Sequence, residues 1–356
     1  MGFFGELRYE PWAGSSAMAS LRARQSRGLL WALSALGVVA IALLSLTLGE
    51  ETLTWAGVHD PESPQSVIFY SLRLPRVVLA ALVGMALSTS GATLQAMTRN
   101  PLADPFVLGV SGGAALGATL ALAFGWAALP VGAAAVSLSA LAGALLATAV
   151  VLVMGRLAGR DVGNATLLAG VIFNAFALAA ITFIKALVAP DKLGEVLFWL
   201  AGTLGAESWS TLGLLGVTVG LAVLLMVLSA PRLNLLSLGE DDAQVLGLSV
   251  RSTRLGLLLV TSLAVSASVA VAGLIGFVGL VVPHLVRLVS GPDQRLALPL
   301  SALGGAAFLM LADLGARVLF QAFHTEPPVG VLTSMIGGPA FLLLLVRARG
   351  HRPEAL

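Results

Sequence analysis

Apolar residues fall in long, nearly uncharged runs separated by short polar breaks. Ten of these runs approach the length of about 20 residues that a helix needs to cross a bilayer. They lie at about 29–48, 74–97, 106–124, 129–155, 163–189, 209–230, 254–272, 275–290, 297–320 and 329–346. The stretch from Leu255 to Val289 is too long for one crossing, and we split it at Gly273 and Gly276, which permit a tight reversal. The pattern predicts an all-α polytopic membrane protein of about ten transmembrane helices. From Asp191 to Gly202, Leu193, Val196, Leu197 and Leu200 share one face. That predicts a short amphipathic helix in the outer interface, within an outer segment 190–208.

Turn chemistry marks the breaks. In Asn100-Pro101-Leu102-Ala103-Asp104-Pro105, proline disfavours a continuous helix, and Asp104 followed by Pro105 makes a good helix start. Pro327 and Pro328 precede the last run, and Gly337-Gly338-Pro339 predicts a bend inside it. Gly109, Gly113 and Gly117 form successive small-xxx-small steps, and Gly84 with Ser88 forms another. Lipid gives helices no hydrophobic reason to associate, so close backbone approach must supply the attraction. The expectation is one densely packed domain over 29–347.

Composition agrees with the runs. At 58% hydrophobic and 11% charged residues, with mean hydropathy +0.96, the chain carries more apolar surface than a soluble core takes up. Charge then orients it. With both termini cytoplasmic, Arg8, Arg22, Arg24, Arg27, Arg99, Arg156, Arg160, Arg232, Arg251, Arg254, Arg287, Arg295, Arg347, Arg349 and Arg352 fall inside. Arg73, Arg76, Lys185, Lys192 and Arg317 fall outside or near outer ends of runs. Fifteen of the twenty basic residues inside is the positive-inside asymmetry. Residues 1–28 and 348–356 become cytoplasmic tails, the first loosely ordered. The basic pI reflects anchoring at the inner leaflet and gives no reason to invoke nucleic acid. The first run is long for a signal-peptide core and reads as an uncleaved span. With no cysteine, disulfides, thiolate metal sites and cysteine nucleophiles are excluded.

A polar island over 231–253 interrupts the apolar pattern. Its centre, Glu240-Asp241-Asp242-Ala243-Gln244-Val245-Leu246-Gly247, sets an acidic turn before an alanine and a glycine four residues later. That predicts a short helix at the cytoplasmic surface, a handle for a soluble partner; an ordinary acidic loop is the alternative. The two lysines, Lys185 and Lys192, do not stand in a Gly-xxxx-Gly-Lys-Ser/Thr frame, so the chain has no P-loop. If ATP drives this protein, it is hydrolysed on another chain.

An ordered set of motifs points further. Arg73-Leu74-Pro75-Arg76 opens the second run, and Leu94-Gln95 with Arg99-Asn100-Pro101-Leu102-Ala103-Asp104-Pro105 closes it. Leu108-Gly109-Val110-Ser111-Gly112-Gly113, Leu238-Gly239-Glu240 and Gly276-Phe277-Val278-Gly279-Leu280-Val281-Val282-Pro283-His284 follow, then Pro328-Val329-Gly330 and Gly338-Pro339. Over residues 29–347 this set resembles the FecCD/BtuC family, permeases of type II ABC importers for iron–siderophores, haem and cobalamin. The resemblance implies a homodimer with its path on the two-fold axis, cytoplasmic ABC ATPase subunits below and a periplasmic substrate-binding protein above. It implies ATP used by the partner subunit, with no cofactor or metal held by this chain.

It also implies roles. Leu238, Gly239, Glu240, Asp241, Asp242, Ala243 and Gly247 would couple to the ATPase. Arg73, Arg76 and Arg317 would meet carboxylates of the binding protein, for which bidentate guanidinium is suited. Arginine near a helix N-terminus is unfavourable with the dipole, so Arg73 and Arg76 need anionic company. Headgroup anchoring or internal pairing with Glu50, Glu51 or Asp313 is the alternative. Asn100 and Leu102 would belong to the inner gate, with Asn164 and Ala165 a second contribution. Asn174 is a candidate for the wall of the path.

Charges at membrane depth are few, and each needs a partner. Lys185 can snorkel outward, and Asp313 with Arg317 can neutralise each other at i, i+4. His284 reads as a packed histidine and His324 as an exposed one. Two rivals from other classes remain. Gly109-Val110-Ser111-Gly112 matches the Gly-x-Ser-Gly of rhomboid-type intramembrane proteases, which would cast His284 as the base. A proton-coupled carrier would rest on Asp313. The reading adopted is a non-enzymatic permease subunit of a binding-protein-dependent ABC importer in the bacterial inner membrane. It would carry an iron chelate, iron–siderophore first, with cobalamin or haem as the alternative cargo.

Overall fold

The computed structural model describes residues 13–49, 53–129, 132–157, 162–323 and 326–349. In chain order the helices are α1 (Ala13–Thr47), α2 (Trp55–His59), α3 (Pro64–Val67), α4 (Leu74–Thr98), α5 (Val110–Ala123), α6 (Gly132–Leu157), α7 (Val162–Leu187) and α8 (Pro190–Ala201). They continue as α9 (Trp209–Leu228), α10 (Ala230–Leu238), α11 (Glu240–Val245), α12 (Val250–Ala272), α13 (Val278–Ser290), α14 (Gln294–Phe323) and α15 (Val329–Arg349). All ten predicted runs are helical. Among the described residues, seven helices are long and apolar enough to cross a membrane, and Val110–Ala123 and Val278–Ser290 are shorter apolar helices.

The short ones have a physical account. The fourteen residues of α5 rise only about 21 Å, less than a hydrocarbon core of about 30 Å. A 3₁₀ turn, Pro105–Leu108, precedes α5, and Gly109 at φ +82° separates the two. The third run is therefore broken where a continuous helix was expected from residue 106. The expected split of the longest apolar stretch is present: α12 ends at Ala272, Gly273 takes φ +68°, and α13 starts after Phe277. Irregular backbone of this kind is tolerated at depth only under protein cover. Here Gly273 lies against the Trp199 carbonyl, and Ile275 is fully buried.

Two helices start earlier than predicted. The first begins at Ala13, within the segment expected as a tail, where Ala, Met, Leu and Arg favour helix and no proline intervenes. The second extends back from α4 through a π-helical stretch, Ile68–Arg73, into α3. Pro75 explains the widened register, because it has no N–H and its ring crowds the carbonyl one turn back. The short helix expected from Asp191 to Gly202 is α8, which buries Val196.

At the centre stands α4. It packs against α14, α12, α13 and α9, and more lightly against α10 and α1. Every residue from Ala86 to Met97 is buried. Glycine makes this possible: a Cβ on Gly84 would run into the Gly305 carbonyl, and one on Gly91 into the Gly279 carbonyl. Gly113 and Gly117 bring α5 equally close to Gly143 and Ser139 of α6. At Gly337 in α15 the absent side chain makes room for Phe277.

Candidate functional site

Polar groups gather at the two ends of α4. At the island end, α11 places three carboxylates, Glu240, Asp241 and Asp242, in its first turn, where the helix dipole favours them. Ala243 is fully buried. Gly247, four residues on, takes φ +84°; its N–H reaches the Gln244 carbonyl at 2.9 Å and that of Leu248 reaches Ala243 at 2.9 Å. This left-handed cap is why alanine and glycine stand four apart. Leu238, Val245 and Leu246 are exposed, Val245 to 87%. The result is an acidic helix with an apolar tip.

Polar contacts that the sequence did not predict join the elements around it. The Asn234 amide on α10 donates to Asp293 Oδ1 at 2.8 Å and accepts the Gln294 N–H at 2.9 Å, tying α10 to the start of α14. Arg254 pairs with Glu240 at 2.6 Å and donates to the Met97 carbonyl at 3.4 Å. Gln95 donates to the Gly279 and Leu280 carbonyls at 3.1 and 3.3 Å and accepts from Arg287. An arginine near the N-terminus of α12, against its dipole, was the available hint for Arg254.

Beyond Met97 the chain turns sharply. Arg99 is left-handed at φ 51°, and the Asn100 N–H bonds the Gln95 carbonyl at 3.2 Å. Asn100 Oδ1 accepts the Leu102 N–H at 2.9 Å, and Asp104 Oδ1 accepts that of Phe106 at 2.8 Å, the cap expected there. Burial pushes the Asp104 carboxyl up to about 6, against the opposing pull of that N–H. Leu102 is exposed. Asn174, on α7, donates to the Phe106 carbonyl at 2.8 Å and accepts the Gly112 N–H at 3.1 Å. It thereby fastens the broken third span to α7. Ala165 is half-buried in the first turn of α7; the side chain of Asn164 lies outside the described residues.

At the opposite end the predicted arginines converge. Arg73 Nη1 donates to the Leu46 and Thr47 carbonyls at 3.2 and 3.4 Å. Arg317 Nη1 donates to those of Ser45 and Leu48 at 3.0 and 3.3 Å. Two cations thus cap the C-terminus of α1, where orphan carbonyls and the dipole favour them. Arg76 Nε meets Asp313 at 2.7 Å and its Nη2 meets Glu326, while Arg317 Nε lies 3.2 Å from the other Asp313 oxygen. The anionic company required of Arg76 is therefore Asp313 and Glu326, the latter missed from sequence; Glu50, Glu51 and His324 lie outside the described residues. Arg73 and Arg317 are buried, and Arg76 keeps 16% side-chain exposure.

Neither rival chemistry is assembled. Ser111 Oγ donates to the Phe106 carbonyl at 3.1 Å, and His284 lies edge-on to Phe341 at 6.3 Å. Among the described residues no hydrogen bond joins the serine to the histidine. Both oxygens of Asp313 face guanidinium.

Residues 37–347 match the model of the FecCD transport family. The chain belongs to that family. Among its relatives, an ABC transporter permease protein of Bacillus subtilis, YvrB, is 44% identical over 287 residues, 80% of each chain. The hemin transport permease HmuU of Yersinia pestis is 39% identical over 318 residues, 88% of this chain and 94% of the relative. The cobalamin import permease BtuC of Halobacterium salinarum is 46% identical over 288 residues, 80% and 74%. A solved structure described as an inward-facing metal-chelate type ABC transporter superposes with TM-score 0.80 at 31% identity, covering 90% of this chain and 99% of that one. PsaBC from Streptococcus pneumoniae, 16% identical with TM-score 0.53, shares the fold. This FecCD-family protein is accordingly an ABC importer permease subunit and a multi-pass protein of the inner membrane.

Proposed function

We propose that the chain works as a homodimer that passes a bulky metal chelate, iron–siderophore first, between a periplasmic binding protein and the cytoplasm. ATP is hydrolysed by cytoplasmic ABC ATPase subunits seated on α11, through Leu238, Gly239, Glu240, Asp241, Asp242, Ala243 and Gly247. The observation that carries this reading is α11 itself. It is a capped helix on a buried alanine, presenting exposed carboxylates and an exposed apolar tip to a partner. The ATPase's bound state selects between two packings of the helices, and the turn at Asn100 and Leu102 responds, with Asn164, Ala165 and Asn174 beside it along the path. The island end is cytoplasmic and the arginine end periplasmic, as the distribution of basic residues supports. Arg76, with 16% of its side chain exposed, is the docking contact for the binding protein, and Arg73 and Arg317, buried as caps of α1, hold that end in place.

Cobalamin or haem is the second reading of the cargo, favoured by relatives whose names speak of cobalamin import and hemin transport. Uptake of labelled iron–siderophore, cobalamin and haem into proteoliposomes, with the ATPase and binding protein present or omitted, separates the cargoes. Strong uptake without the ATPase would sink the importer reading. In the same assay Arg76→Glu is expected to weaken binding-protein docking in the folded fraction and, by setting a carboxylate against Asp313 and Glu326, to lower the folded yield as well.

A further inference from the structure

The structure assigns to Arg254 the task of carrying movement from the partner-facing helix to the gate turn. The assignment rests on the coupling role proposed above for α11. Arg254 lies near the N-terminus of α12, where the dipole disfavours a cation. Acceptors from two other elements hold it there. One guanidinium nitrogen meets Glu240, the first residue of α11, at 2.6 Å. Another donates at 3.4 Å to the carbonyl of Met97, in the last turn of α4. That turn contains no basic residue of its own, and carbonyls in it have no intrahelical partner. Arg254 is therefore the cationic cap of α4, supplied from α12.

The location gives the contact its consequence. Two residues past Met97 the backbone becomes left-handed at Arg99, and the Asn100–Pro105 turn begins. Arg99 reaches back toward the island: a Cβ built on Gly239 would lie 3.8 Å from its Nη1. The Arg254 side chain is only 18% exposed, so it is held by protein on most sides. A displacement of α11 thus reaches the end of α4 through one planar group that grips both. Lysine would place a point charge between them and hold neither geometry. Arg254 touches neither ATP nor cargo; it is a positioning residue.

The test uses the full complex of permease, ATPase and binding protein in proteoliposomes. The chain has no cysteine, so Leu102→Cys places a single thiol on the gate turn. Its rate of maleimide labelling is read with and without ATP plus vanadate, beside the rate of ATP hydrolysis. Adding Arg254→Met is expected to shrink the nucleotide-dependent change in labelling by about tenfold, while hydrolysis stays within about twofold. Arg254→Lys should fall between. Exchanging the pair, Glu240→Arg with Arg254→Glu, restores opposite charges but sets a carboxylate against the Met97 carbonyl, so the response should stay lost.

A full labelling response in Arg254→Met overturns the assignment, as does a response restored by the exchange. Hydrolysis and labelling falling together would make Arg254 a plain assembly contact, and that also overturns it. Should Arg254→Met fail to assemble, an undiminished response in Arg254→Lys decides against it. If Leu102→Cys shows no nucleotide response with Arg254 intact, the coupling role of α11 falls, and that of Arg254 with it.

Discussion

The two ends of α4 carry comparable numbers of charged groups and use them in opposite ways. At the island end the carboxylates of α11 are exposed, and Glu240 is paired with an arginine only fourteen positions away. At the other end Arg76 reaches partners 237 and 250 positions away, Arg317 reaches 272 back to Ser45, and Asp313 is buried. One end presents charge outward; the other uses it to bind α1, α4 and α14 together. Exposure of the charges separates a surface built to meet something from a lock built to hold.

The largest expected effect comes from breaking the lock. Asp313→Asn leaves the guanidinium groups of Arg76 and Arg317 short of their shared anion in a buried setting. Removing one partner of a buried pair costs about 3 kcal/mol or more, and thermal unfolding in detergent should register a clear fall in melting temperature. Gly247→Ala attacks the other end. Its positive φ costs a side chain about 1 kcal/mol, and the loss is confined to the cap of α11. ATPase affinity should drop while the melting temperature barely moves. Equal effects on both measurements would erase the contrast between the ends.

A further effect is a pH dependence at the Asn100–Pro105 turn. Burial raises the Asp104 carboxyl to about 6, so the folded chain holds that proton more tightly than the unfolded one. Its contribution to stability is full below about pH 4 and is lost as pH rises through about 6. Asp104→Asn keeps an oxygen for the Phe106 N–H and removes the titration. A melting series from pH 4 to 7 should therefore be flatter in the variant than in the unsubstituted protein.

The same contrast sets what could be read from the chain. The ten runs, the break at Gly273, the Asp104 cap and the Ala243–Gly247 frame were legible because each is decided by residues within a turn or two. The family resemblance rested on such local pieces in order. Glu326 as a partner of Arg76, Asn234 as a partner of Asp293, and Arg254 on Met97 were not, since each joins segments that only the packed bundle brings together. The π-helical stretch before Pro75 was missed for a different reason: proline announces an interruption without saying whether the helix stops or widens. Gly109 matched a contact repeat by spacing, yet its positive φ makes it the joint of a broken span.

Because α4 is enclosed along its middle by four other helices, with carbonyl oxygens where side chains would otherwise intrude, it has almost no freedom to flex there. A mast so tightly stayed hands all motion to its two extremities. Whatever passage this protein opens must be worked from the rigging at those ends, which is why a few polar side chains there outweigh the many apolar ones between.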